Sequence, residues 1–150
     1  LIKNLKRMKK QFLIGSILSL ILGTLVYLLF RVSTLKIFSW LENIGVDFLN
    51  FKIRKTTLNY TEILPDWFLF SLPDGLWIFS YTSLILHIWG KTSKESFFWI
   101  IIIPAIAIFS EILQGLKLIP GTFDSIDLLF YTLGLLLPLT FINKNFKLNY

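Results

Sequence analysis

The sequence predicts an all-α integral membrane protein, a bundle of four transmembrane helices with one further amphipathic helix in the interface. Apolar residues make up 55% of the chain and charged residues 16%. The apolar residues gather in runs close to the ~20 residues that carry a helix across a bilayer, and Lys and Arg stand at the ends of those runs. A soluble helix keeps polar residues along one face at every turn; whole segments of this chain have none.

The 150 residues are read as a single membrane domain, 1–150. With no cysteine, disulfides, thiolate metal sites and thiol catalysis are excluded. The net charge of +6 would point to nucleic acid on a soluble basic face, but here the cations flank apolar runs. Membrane topology explains them, and nucleic acid is not a partner.

The first span is predicted at about 11–31, after Lys3, Lys6, Arg7, Lys9 and Lys10. Its apolar stretch is longer than the ~7–15 residues of a signal-peptide core and no small-x-small site precedes Arg31, so it reads as an uncleaved anchor. Gly15, Ser19 and Gly23 recur every fourth residue, a small-residue face for close helix packing. Over 35–54, Ile37, Leu41, Ile44, Phe48 and Phe51 step along one face, and Lys36, Asn43, Asp47, Asn50 and Arg54 along another. That spacing predicts the amphipathic interfacial helix.

The second span is predicted at 73–90, opening at Pro73-Asp74 with capping-box spacing from Ser71 to Asp74. The third follows at 97–116, bent near Pro104, and the turn Ile119 to Thr122 ends it. The fourth, 124–142, is opened by Asp124 as N-cap, with Gly134 for close packing. Trp67, Trp77, Trp89 and Trp99 are placed at span ends as interfacial anchors. His87, with Ser80 and Ser83 before it, is read as a packing residue.

With both termini in the cytoplasm, Lys3, Lys6, Arg7, Lys9, Lys10, Lys91, Lys94, Lys144 and Lys147 face inward, nine cations against six on the outer side. The acids do the reverse: only Glu95 falls inside. Asp74, Glu111, Asp124 and Asp127 share one outer depth, and Gln114 lies one turn from Glu111. A carboxylate within a span costs roughly 2.5–3.5 kcal/mol to insert and normally faces the bundle interior with a partner. Glu111 and Asp127 are therefore the candidate catalytic or cation-binding groups of a polar outer cluster; the competing roles are helix capping for Asp74 and Asp124, a first-turn dipole role for Asp127, and a hydrogen bond to a neighbouring helix for Glu111. No phosphate loop, metal-ligand spacing or nucleophile triad is present, so no metal or cofactor is expected.

Ser110-Glu111-Ile112-Leu113-Gln114, then Phe123-Asp124-Ser125-Ile126-Asp127 and Gly134, with Pro73-Asp74 before them, resemble the VanZ-like family of small membrane proteins over about residues 65–142. Asp74, Phe79, Glu111, Gln114, Asp124, Asp127 and Gly134 match its motifs; Gly121, Tyr131, Gly75 and Ile78 stand where the family carries Arg, Asn, Lys and His. The resemblance implies residence in the bacterial cell envelope, in the inner membrane. The function expected is a non-enzymatic membrane protein, free-standing or an accessory subunit, whose partners are membrane lipids and either a larger membrane complex or further copies of itself. The alternatives are an intramembrane enzyme acting on a lipid-linked substrate through Glu111 and Asp127, and an oligomeric transporter.

Overall fold

The computed structural model describes residues 2–90 and 93–141, and every regular element among them is helical. α1 (Ile2–Phe30) is followed by two short helices, α2 (Lys36–Asn43) and α3 (Lys52–Leu58), joined through a 3-10 turn at Phe48–Asn50. α4 (Asp66–Leu69) runs almost directly into α5 (Ser71–Trp89), and α6 (Lys94–Gly115) and α7 (Ser125–Thr140) complete the chain. Lys91, Lys144, Lys147 and the predicted last residue of the fourth span lie outside the described residues.

α5 is the central helix, packed against α1, α7, α6 and α4. It approaches α1 along the small-residue face: a Cβ on Gly23 would lie 3.0 Å from the Pro73 carbonyl oxygen, and one on Gly15 3.6 Å from the Phe79 ring. Ser19 turns its hydroxyl to its own helix, donating to Gly15 O at 2.8 Å. Toward the end of α5, Phe12, Leu86 and Ile100 form a buried cluster closed by Leu135 and Leu139, so all four long helices meet there.

Among the described residues, two helices are long and apolar enough to cross a membrane, Lys6–Phe30 within α1 and Lys94–Gly115, with α7 as a shorter apolar helix. α5 falls short because it is central: Ser71, Ser80, Thr82 and Ser83 on it are buried against neighbouring helices. α7 falls short on length, its 16 residues rising only about 24 Å.

Several predicted boundaries are corrected. α1 begins at Ile2, nine residues before the expected 11, because the Lys- and Arg-rich lead is itself a good helix former. The expected continuous helix over 35–54 is broken after Asn43. Gly45 takes φ +84°, and Gly45 N–H donates to Glu42 O at 2.9 Å and Val46 N–H to Leu41 O at 2.8 Å, a Schellman stop that matching apolar spacing on either side conceals. Ser71 does not cap α5: Phe70 holds that position, and the preceding turn of α4 supplies its backbone contacts, Phe70 N–H donating to Asp66 O at 2.9 Å. α6 starts at Lys94 on a reciprocal Ser93/Ser96 capping box, and it stays one helix through Pro104. Near the start of α5, Trp77 tilts against Tyr27, ring centroids 5.2 Å apart, and its indole N–H donates to Thr24 at 3.3 Å.

Candidate functional site

The starts of α5 and α7 and the end of α6 bring three of the acids together. α5 and α7 touch at glycines on both sides: a Cβ on Gly75 would meet Phe130 Cβ at 2.9 Å, and one on Gly134 would run into the Gly75 carbonyl and come within 3.0 Å of Ile78 Cβ. That close contact sits just below Asp74, in the first turn of α5, and lets the Tyr131 hydroxyl of α7 donate to Asp74 Oδ2 at 3.3 Å. Asp127 lies one turn before Tyr131 on the same helix face. Its Oδ1 is buried without a hydrogen-bond partner.

Glu111 reaches the group from α6. It is only 3% exposed, and its Oε1 accepts the backbone N–H of Asp124 at 2.5 Å. One carboxylate thus ties the end of α6 to the N-cap residue of α7. Asp124 serves locally: its Oδ1 accepts from Ile126 N–H at 2.7 Å, which makes it the N-cap of α7. Gln114 packs on Gly121, where φ is +143° and a Cβ would lie 2.5 Å from the Gln114 Cδ. A side chain at 121 is therefore blocked twice, by backbone conformation and by the glutamine.

A cation also reaches this site. Arg31, just past the end of α1, lays its guanidinium over the rings of Phe70, 4.7 Å from the centroid, and Tyr27, at 5.3 Å. Its charge acts on half-buried Asp74 in opposition to those of Asp127 and Glu111, and its Nε is buried without an acceptor. Arg31 reads in the sequence as a flank of the first span. The signal that finds it is the antiparallel packing of α1 and α5: the end of α1 lies level with the start of α5, where Asp74 stands.

The site therefore holds Asp74, Asp127, Glu111, Tyr131 and Arg31, and leaves Asp124 and Gln114 to hold the turn. Gly15 and Ser19 lie away from this site, farther along α5, where α1 packs against Phe79. Carboxylates in so dry a setting interact more strongly than in water, and one guanidinium offsets only part of their charge. Among the described residues, no three His, Asp or Glu side chains are grouped to hold a metal ion. No family model matches the chain, and no curated protein or solved structure is found to be similar to it.

Proposed function

We propose that the chain is a four-span, VanZ-like protein of the bacterial cytoplasmic membrane, with both termini in the cytoplasm, that acts by holding a lipid or a partner subunit and not by turning over a substrate. α1, α5, α6 and α7 are the spans, and α2 to α4 form a layer at the outer interface. The observation that carries this is the use made of Glu111. A general acid or base must reach a reacting group, whereas Glu111 is buried and bonded to the Asp124 backbone.

The apolar coat supports the location. The most apolar stretches of α1 and α6 are only 22% buried within the protein, and Leu18, Leu22, Phe98, Ile106 and Phe109 all point outward. The core helix of a soluble protein would bury that surface. α5, with 19 residues, rises about 28 Å, near the ~30 Å hydrocarbon thickness, and a bilayer thins locally around a shorter span such as α7.

Because the chain lacks cysteine, single cysteines report topology cleanly. Four spans expose Thr34→Cys and Thr122→Cys to an impermeant maleimide in intact cells and hide Lys94→Cys until the membrane is opened. If only α1 and α6 cross, Lys94→Cys labels from outside and Thr122→Cys does not, which overturns the reading.

A second reading, an intramembrane enzyme, is favoured by one feature, the unpartnered Asp127 Oδ1. It requires that Asp127→Asn abolish the chain's cellular effect at unchanged abundance; under the leading reading that substitution is silent.

A further inference from the structure

At the opposite end of the bundle from the acids, α1, α5 and the end of α7 enclose a cavity of about 300 Å³, the lower end of the range for small-molecule sites. Its wall is apolar, made by Met8, Phe12, Gly15, Phe79 and Phe141. Two polar side chains also line it. Gln11 is exposed, and Ser83 is 1% exposed with its Oγ unpartnered. Of the neighbouring hydroxyls, Ser80 donates to Ser16 O at 2.8 Å and Ser19 bonds its own helix, while Thr82, also buried without a partner, does not line the cavity. Ser83 instead lines a greasy cavity with a buried hydroxyl that has no partner, a lack that a ligand acceptor would make good once the cavity wall gives way to it.

The helix register sets the depth of each group. Ser16 pairs with Ser80, and His87 Nδ1 lies 2.8 Å from Lys9 O, so Ser83 sits between these levels. It is about 6 Å below the Lys9 level and about 6 Å above Phe79, at 1.5 Å per residue. Lys6, Arg7 and Lys10 are exposed at and beyond the upper level, and Arg7 stands one turn before Gln11. Lys9 is already engaged, donating to Ile88 O at 3.3 Å. From the inner end of the bundle downward the order is basic rim, buried hydroxyl, apolar floor. That is the order of an anionic head group, an ester and a hydrocarbon chain.

We propose that this cavity binds one chain of an anionic acyl-ester lipid, with its ester carbonyl accepting the Ser83 hydroxyl and its head group against Arg7 and its basic neighbours. The proposal rests on the membrane reading above, but its test is separate: cysteine labelling decides topology, and lipid binding decides the cavity.

The full chain, purified in a neutral detergent, is titrated with dodecanoyl lysophosphatidylglycerol, its alkyl-ether analogue and dodecanoyl lysophosphatidylcholine, and bound lipid is counted by native mass spectrometry. One ester lipid binds per chain, about threefold to tenfold tighter than the ether, the worth of one hydrogen bond. Ser83→Ala removes that advantage by weakening the ester alone. Arg7→Gln weakens the glycerol lipid and leaves the choline lipid unchanged. Gly15→Leu, which fills the cavity, abolishes all binding; if that variant does not fold, Ser83→Ala, which deletes one unpartnered atom, still decides. Equal binding of ester and ether to the unaltered protein overturns the proposal, as does an equal loss of both in Ser83→Ala. Binding seen only after removal of residues 142–150 would make the chain's own C-terminal segment the occupant, and overturns it equally.

Discussion

Glu111 separates a structural carboxylate from a chemical one. Replacing it with Ala leaves the Asp124 N–H unsatisfied beside a buried void, and should cost about 1–3 kcal/mol of stability. Glu111→Gln keeps an oxygen in place and should cost about 1 kcal/mol or less. Unfolding of the purified protein in detergent micelles measures both. Equal losses would mean that the negative charge, and not the acceptor, is what the site needs. Gly134 supplies a second prediction. Its Cβ has no room between the Gly75 carbonyl and Ile78, so Gly134→Ala should cost about 1–3 kcal/mol by overpacking and weaken the Tyr131 bond to Asp74 above it. The acids and Gly134 were legible in the sequence because an ionisable group or a glycine inside an apolar run is conspicuous. Arg31 was not, since a cation at the end of a span already has a sufficient explanation. Only the fold shows that it lies over Phe70, close enough for its charge to act on Asp74.

The end of α1 is closed from outside its own sequence. The carbonyls at a helix C-terminus have no partners within the helix. Here the Arg54 guanidinium donates to Leu28 O and, at 2.6 Å, to Arg31 O, while the Thr57 hydroxyl donates to Leu29 O at 3.0 Å. Arg54 is 1% exposed and lies over the Phe38 ring, 4.3 Å from its centroid, so one side chain ties α1, α2 and α3 together. Burial pulls its pKa down from the usual arginine value, and the two carbonyls and the aromatic face are what hold a cation there. Arg54→Ala should cost about 1.5–3 kcal/mol and release α2 and α3 from α1. Limited proteolysis should then cut between residues 44 and 64 at least tenfold faster, a factor that corresponds to about 1.4 kcal/mol; unchanged cleavage would show that the layer is held by other contacts. The sequence placed Arg54 on the polar face of an amphipathic helix, where its charge implies solvent. Periodicity describes a helix by itself and says nothing of a neighbouring helix end in need of donors. For the same reason it ran straight through Gly45, whose left-handed conformation ends α2 and turns α3 back onto α1.

At the scale of the whole molecule, the distribution of apolar surface distinguishes a membrane bundle from a soluble one. Ile106 is 60% exposed at the middle of α6, and Leu18 is 55% exposed at the middle of the apolar part of α1. In a soluble protein, a charge at such a position changes stability by at most about 0.5 kcal/mol and raises solubility. At the centre of a span, Lys or Arg costs roughly 2.5–3.5 kcal/mol of insertion free energy. Ile106→Lys and Leu18→Arg should therefore each lower the fraction of chain that resists alkaline extraction from membranes, and the double substitution should lower it further. Lys6→Gln, outside the hydrocarbon region, should leave that fraction unchanged. Ile100, by contrast, is fully buried where the four long helices meet. Ile100→Lys should disrupt folding in either setting, so it is the contrast between Ile100 and Ile106 that carries the information. If Ile106→Lys is harmless while Ile100→Lys is not, α6 faces water and the protein is a soluble bundle; if both fail, its outer face lies against lipid.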